Sequence, residues 1–104
     1  MTLEKLQQAI QTHQNGNLET AQKQYEAILQ KDIHNSDALN LLGLIHFQQK
    51  DYEQSLIYIE KAVRLRPKAP EYHNNLGMVL NSLGRVEEAV VADGPRVKEL
   101  LRCF

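Results

Sequence analysis

The side chains in this sequence that could do chemistry are four histidines and one cysteine. His13, His34, His46 and His73 could bind a metal only if two of them shared a helix face, and no pair has the i, i+4 spacing that would place them there. Cys103 could act as a nucleophile beside a base, but no histidine lies near it in the sequence. The spacing therefore predicts no metal, no cofactor and no catalytic residue.

Carboxylate side chains recur where helices are predicted to begin, at Glu19, Glu53, Glu87 and Glu88. A negative charge in the first turn complements the helix dipole, which explains these glutamates without a role as general acids. No glycine-rich loop of the kind that cradles a phosphate is present. We expect a protein that is not an enzyme, so its function must be sought in the helices.

The composition describes a small globular domain with no strong charge. The chain has 104 residues, 42% hydrophobic and 24% charged, with a formal net charge of −1. This balance gives no reason to expect nucleic acid or an anionic membrane as a partner. The first residues show no secretory signal, and a single cysteine is typical of a reducing compartment, so we expect a cytoplasmic location.

A repeat of 34 residues organises the chain. Leu42-Gly43 and Leu76-Gly77 are separated by that interval, as are Asn40 and Asn74. A fixed period of this length indicates a helical hairpin repeated and stacked. We expect one domain over residues 1–104, with repeats at 2–35 and 36–69, an incomplete repeat at 70–92 and an atypical capping segment at 93–104.

Apolar spacing and turn residues predict six helices. The turns within the hairpins are predicted at residues 15–17, 50–51 and 83–85, with Asn17 and Asp51 as N-caps. Gly16 and Gly84 suit the left-handed conformation that ends a helix, whereas Lys50 fills that position under strain. The expected helices are 3–14, 18–31, 36–49, 52–65, 70–82 and 86–92.

These residues resemble the tetratricopeptide repeat. The Leu-Gly pairs match the first helix of its motif, and the small residues Ala21, Ser55 and Ala89 match its second helix. The resemblance implies an all-α fold, a right-handed superhelical stack of about three antiparallel helix hairpins. Small residues at facing positions, Ala9 with Ala21, Gly43 with Ser55 and Gly77 with Ala89, would let the helix axes approach closely.

The third repeat departs from the pattern at Asp93-Gly94-Pro95. Proline inside a helix removes a donor and clashes with the preceding turn, so the last helix should stop near residue 92. An amphipathic spacing follows it at Val97, Leu100, Leu101 and Phe104. Either this tail folds back as a cap, or the incomplete repeat leaves apolar surface for a second chain and gives a homo-oligomer.

The resemblance also implies where a partner binds, because the first helix of each tetratricopeptide hairpin lines a concave groove. Leu44 and Phe47 are either buried between helices or exposed in that groove, since their helix is apolar on two sides. The expected groove residues are Leu6, Ile10, His13, Asp37, Asn40, Leu41, Leu44, Phe47, Glu71, Asn74, Asn75, Met78 and Asn81, with Leu3 and Gln7 beside them.

The groove residues predict the chemistry of the partner. Amides can bond to an extended backbone, apolar side chains can receive apolar anchors, and Asp37 and Glu71 would favour basic residues. The groove lacks the basic residues of chaperone-binding members. Asn75 resembles the asparagine that forms a ladder in O-linked N-acetylglucosamine transferases, but Gln7 and Leu41 occupy the equivalent positions, so no continuous ladder is expected.

The leading prediction is a non-catalytic module that binds a protein or peptide partner in the groove. One alternative is the substrate-docking N-terminal portion of a larger enzyme, glycosyltransferase-like or sulfotransferase-like, because such repeats often precede these domains. The other is a scaffold that associates with itself through the incomplete C-terminal repeat. The sequence does not name the partner.

Overall fold

The computed structural model describes the backbone of residues 2–90 and the side chains of residues 3–84, and this part of the chain is helical without strands. Its helices are α1 (Thr2–Gln14), α2 (Leu18–Lys31), α3 (Ser36–Gln48), α4 (Tyr52–Leu65) and α5 (Pro70–Val90). The helices α1 and α2 form one antiparallel hairpin, α3 and α4 form the next, and α5 packs against α4. None of these helices is long and apolar enough to cross a membrane.

The hairpin turns lie where glycine and capping residues predict them. Gly16 has φ 85° and Lys50 has φ 66°, so both end a helix in the left-handed region. The Asp51 side chain accepts a hydrogen bond from the Gln54 backbone N–H at 3.4 Å, which confirms its role as an N-cap. Asn17 occupies the N-cap position of α2 without a side-chain bond there, and Asn35 caps α3 through the Ala38 N–H at 3.0 Å.

The core lies between the two hairpins and is made of the predicted apolar stripes. Its largest fully buried side chains include Tyr25, Leu42, Ile45 and Ile59. A second, smaller cluster joins α3 to α4 and α5 through Leu39, Ala62, Ala69 and Tyr72. Burial of these side chains supplies most of the free energy that holds the short helices together, because isolated helices of this length are marginal in water.

The closest helix approach is at Gly43, as the small facing residues predict. A Cβ atom placed on Gly43 would lie 2.6 Å from Ile59 Cγ1 and 3.1 Å from the Ser55 backbone oxygen. Ser55 is fully buried opposite it, and its hydroxyl has no hydrogen-bond partner among the described residues. The α3–α4 crossing therefore needs glycine on one helix and a small residue on the other.

The third hairpin differs from the prediction. A turn was expected at residues 83–85 and separate helices at 70–82 and 86–92, but α5 runs unbroken from Pro70 to Val90. Gly84 does not take a positive φ, unlike Gly16 and Lys50 at the equivalent positions. Glycine in a helix interior costs only about 1 kcal/mol, so continuing the helix is an available alternative to turning.

Because α5 continues without a turn, Gly77 has no packing role among the described residues. Gly77 is exposed, and a Cβ placed on it would have no described atom within 4 Å. The expectation that Gly77 marks a close crossing like that of Gly43 is therefore wrong for the described residues. The predicted C-terminal segment, with Val97, Leu100, Leu101 and Phe104, lies outside them.

Candidate partner-binding groove

The candidate groove is the surface formed by the first helices α1, α3 and α5, and two of its predicted residues are inside the core. Leu6 is 7% exposed and packs with the buried cluster of the first hairpin, and Asn40 is 5% exposed. Neither side chain is open to a partner, so both support the groove from beneath. Both residues belong to first helices as predicted from the repeat, but their side chains lie in the packed interior and not on the surface.

A hydrogen-bond chain through Tyr25 and His13 joins the C-terminal ends of α1 and α3. The Tyr25 hydroxyl and His13 Nδ1 are 3.1 Å apart, and His13 Nε2 and Gln48 Oε1 are 2.7 Å apart. A neutral His13 with its proton on Nε2 satisfies both contacts, donating to Gln48 and accepting from Tyr25. Burial raises the pKa of Tyr25 to about 12. His13 is therefore engaged in holding two hairpins together.

A second polar cluster joins the N-terminal ends of α3 and α5. The Tyr72 hydroxyl donates to the Asp37 carboxylate and lies 3.1 Å from Ser36 Oγ. Arg66 Nη1 is 3.8 Å from Asp37 Oδ1, and the guanidinium carbon lies 5.9 Å from the centre of the Tyr72 ring. Burial, followed by the bond to Asp37, raises the pKa of Tyr72. Asp37 is thus already paired within the chain.

One helical turn further along the same helices, two asparagines bond to each other. Asn75 Nδ2 donates to Asn40 Oδ1 at 3.0 Å. Asn75 is half-buried and partnered, so it is not a purely solvent-facing residue. This single cross-helix bond agrees with the expectation that no continuous ladder forms, because Leu6 and Leu41 occupy the corresponding positions between α1 and α3 and are packed in the apolar core.

Three of the four hydrogen bonds between first helices have a separation of 35 residues and not the repeat length of 34; the fourth, Ser36–Tyr72, has 36. His13–Gln48, Asp37–Tyr72 and Asn40–Asn75 all have this separation. Each first helix therefore lies one residue out of step with the next across the groove. The sequence analysis compared equivalent positions and so missed these pairs, but a search for polar residues one step beyond the repeat would have found them.

The apolar part of the groove is contributed by α3. Leu41 packs against the core, and Leu44 and Phe47 are half-buried. Their exposure is thus intermediate between burial between helices and full exposure in the groove, the two alternatives that the sequence left open. The Phe47 ring centre lies 5.4 Å from that of Tyr52, which fixes one side of this aromatic surface. Ile10 of α1 is also half-buried and packs on the same core.

The polar part of the groove is contributed by α5. Glu71, Asn74 and Asn81 are exposed, and Met78 is 38% exposed between them. Since Asp37 is paired with Tyr72 and Arg66, Glu71 is the exposed carboxylate among the predicted groove residues. The surface thus offers amides and one acid beside a half-buried leucine and phenylalanine.

The described residues do not form a metal centre, since no cluster of three histidine, cysteine or carboxylate side chains occurs among them. From its place on the packing side of α3, with Leu39, Leu42 and Gly43, the sequence predicts that His46 is a hydrogen-bonded core residue. Its ring instead stacks on Tyr58 with the centres 5.4 Å apart, and its Nδ1 has no described hydrogen-bond partner and lies 3.8 Å from Asp51 Oδ2. Stacking on Tyr58 and the nearby Asp51 carboxylate therefore hold the His46 ring in place of a hydrogen bond.

Comparison with known proteins identifies the repeat. The family model of the tetratricopeptide repeat matches residues 13–70 and again residues 51–97. The chain belongs to the tetratricopeptide repeat family. This confirms the fold expected from the sequence, an all-α stack of tetratricopeptide hairpins, and it indicates a protein-interaction module.

Relatives that carry tetratricopeptide repeats include two glycosyltransferases. A UDP-N-acetylglucosamine–peptide N-acetylglucosaminyltransferase of Caenorhabditis elegans is 33% identical over 76 residues, 73% of this chain and 7% of that protein. A probable enzyme of the same name, SEC, from Arabidopsis thaliana is 24% identical over 82 residues, 79% of this chain and 8% of that protein. The chain spans less than a tenth of the length of either relative.

A solved structure gives the same result for the fold. An O-GlcNAc transferase mutant of Thermobaculum terrenum superimposes with a TM-score of 0.79 at 33% sequence identity, covering 84% of this chain and 17% of that one. The stacked tetratricopeptide hairpins described above therefore have a counterpart in a longer protein.

Proposed function

We propose that this chain is a non-catalytic module that binds a segment of another protein along α1, α3 and α5. The observation that carries the proposal is the composition of this surface. Leu44 and Phe47 on α3 are half-buried, and Asn74, Met78 and Asn81 are exposed on α5, the first helix that contacts α3. Apolar side chains next to free amides suit a segment that inserts apolar anchors while its backbone bonds to the amides.

The contacts that Asp37 makes within the chain reduce the role that we expect for basic residues of the partner. The Asp37 carboxylate already accepts from Tyr72 and lies 3.8 Å from Arg66, so part of its charge is balanced before a basic side chain arrives. We therefore expect affinity to depend mainly on apolar anchors, with Glu71 as the place for one basic residue. The lone cysteine of the chain fits a reducing compartment, and we propose that the module acts in the cytoplasm.

The proposal is tested by comparing proteins captured from a native lysate by three baits. They are the wild type, the double variant Leu44→Ala with Asn74→Ala, and the control Lys23→Ala on the exposed surface of α2. We expect a partner retained by the wild type and the control but lost from the double variant, with unchanged helix content in all three. Equal retention by the double variant would contradict this placement of the groove.

A second candidate, which the comparisons favour, is the substrate-docking portion of a glycosyltransferase-like enzyme. The two named relatives and the solved structure all carry transferase names, although the chain matches a small share of each. In that case the same groove would hold the protein acceptor of the enzyme. A reading frame that continues past Phe104 into a transferase domain would support this function, and a stop codon at that point would remove it.

A further inference from the structure

One face of α5 is left uncovered although its equivalent in α3 is buried. On α3, Leu42 is 1% exposed and Gly43 is in contact with Ile59 of α4. On α5, the corresponding Leu76 is half-buried, Gly77 is exposed, and Leu80 is 44% exposed. We call the face formed by Leu76, Gly77, Leu80, Leu83 and Gly84 the α5 seam; it lies away from the groove residues Asn74, Met78 and Asn81.

The residues of the α5 seam have the spacing of a helix-pairing surface. Gly77, Leu80 and Gly84 follow each other at intervals of three and four, and Leu76 and Leu83 flank them one heptad apart. Both glycines have open space where a Cβ would be. Each costs about 1 kcal/mol in a helix interior relative to alanine, and nothing in the described chain repays that cost. A second helix packed closely against the two glycines would offset this cost.

The residues that a complete repeat would place on this seam are poorly suited to cover it. The contact with Gly43 is made by Ile59, and the residue 34 positions after Ile59 is Asp93. An aspartate against an apolar helix face would lose its hydration without gaining a partner. Pro95 follows two residues later and cannot lie inside a helix that continues as α4 does.

The seam is instead complementary to itself. Leu83 lies three residues after Leu80 and Gly77 three residues before it, while Gly84 and Leu76 lie four residues after and before. In an antiparallel pair of helices with a two-fold axis beside Leu80, Leu83 and Leu76 therefore face Gly77 and Gly84 of the other copy, and the two Leu80 side chains meet at the axis. Large side chains opposite open positions are what knobs-into-holes packing requires.

We propose that the α5 seam is a homodimer interface in which the α5 helices of two copies cross antiparallel around a two-fold axis at Leu80. The interface needs none of residues 97–104, and it is separate from the groove, so it goes beyond the binding function proposed above. One helix pair buries about 1,000 Å² or less, the size of a weak and transient interface, so we expect a dissociation constant in the micromolar range.

Sedimentation velocity over about 5–500 µM, a range that brackets a micromolar dissociation constant, tests the proposal. The wild type should pass from monomer to dimer. Leu80→Glu should remain monomeric throughout, because the two-fold axis brings its two carboxylates together. The matched control is Ile57→Glu on α4, where the wild-type side chain is also 44% exposed, and it should dimerise as the wild type does.

A cross-linking experiment tests the register without relying on a charged variant. In a Cys103→Ser background, Leu80→Cys should form an intermolecular disulfide under mild oxidation, while Ile57→Cys should stay reduced. A wild type that is strictly monomeric at the highest concentration overturns the proposal. So does a dimer that persists in Leu80→Glu, equal cross-linking at position 57, or a monomer in which the thiol at position 80 is protected from labelling by its own chain.

Discussion

Gly43 and Gly77 occupy the same position of the repeat, and the structure predicts that alanine has opposite effects at the two sites. Alanine is about 1 kcal/mol better than glycine in a helix interior, so this gain is available to both variants. At Gly77 nothing described lies within 4 Å of the added methyl group. Gly77→Ala should therefore stabilise the folded monomer by about 1 kcal/mol.

At Gly43 the added methyl group would lie 2.6 Å from Ile59 Cγ1 and 3.1 Å from the Ser55 carbonyl oxygen. The Ile59 side chain is fully buried and the oxygen belongs to the backbone, so neither can move away without displacing α4. Overpacking of a core costs about 1–3 kcal/mol, and a contact as short as 2.6 Å with a buried side chain belongs to the upper part of that range, about 2–3 kcal/mol, which exceeds the helix gain. Gly43→Ala should therefore destabilise the fold by about 1–2 kcal/mol.

The assay is thermal and urea unfolding followed by circular dichroism at low protein concentration, where the monomer predominates. The difference between the two variants, about 2–3 kcal/mol, corresponds to a separation of about 10–20 °C in Tm for a domain of this size. Equal shifts in both variants, or a Gly43→Ala protein as stable as the wild type, would refute the assignment of Gly43 to a close helix crossing and of Gly77 to an open face.

Four further predictions concern buried polar groups and one turn. Ser55→Ala should stabilise the fold by about 1 kcal/mol in urea unfolding, because it removes a buried hydroxyl without a described partner; a loss of stability would show that the hydroxyl is satisfied. Since the pKa of Tyr25 is raised to about 12 from an ordinary 10.0, its contribution is fully present below pH 10 and is lost as the pH rises through 12. Tyrosinate absorbance and unfolding curves across that range check this, and ionisation of Tyr25 at the ordinary value would contradict it. A double-mutant cycle of Asn40→Ala and Asn75→Ala should give a coupling of about 0.5–1.5 kcal/mol, whereas additive effects would mean that the 3.0 Å bond does not form in solution. Lys50→Gly should raise the unfolding midpoint by the equivalent of about 1 kcal/mol because Lys50 has φ 66°, and no change would indicate that the turn is not strained.

The fold could be predicted from the sequence because repeat spacing, apolar stripes and turn residues agree in the first two hairpins. Helix α4 was predicted at its observed bounds, and α2 likewise. The third hairpin could not be predicted, since Gly84 is compatible with both a turn and a helix. Only tertiary packing distinguishes the two, and the residues that should have packed on Gly77 are not the ones a complete repeat would have.

The sequence assigns the candidate groove residues to α1, α3 and α5, but it does not predict how exposed each of them is. Repeat position identifies which side of α1, α3 and α5 faces the groove, whereas burial depends on the offset between neighbouring helices. That offset places Leu6 and Asn40 in the core and engages Asp37 with Tyr72. Position within a single repeat contains no information about this one-residue step.

The polar contacts between first helices have a mechanical consequence. Helix α3 is joined to α1 at its C-terminal end, through Gln48 and His13, and to α5 at its N-terminal end, through Asp37 and Tyr72. Because these two contacts lie at opposite ends of α3, sliding of one neighbouring helix along α3 would tilt α3, and the other neighbour would move with it. We therefore expect a displacement of α1 to tilt α3, and the tilt of α3 to displace α5.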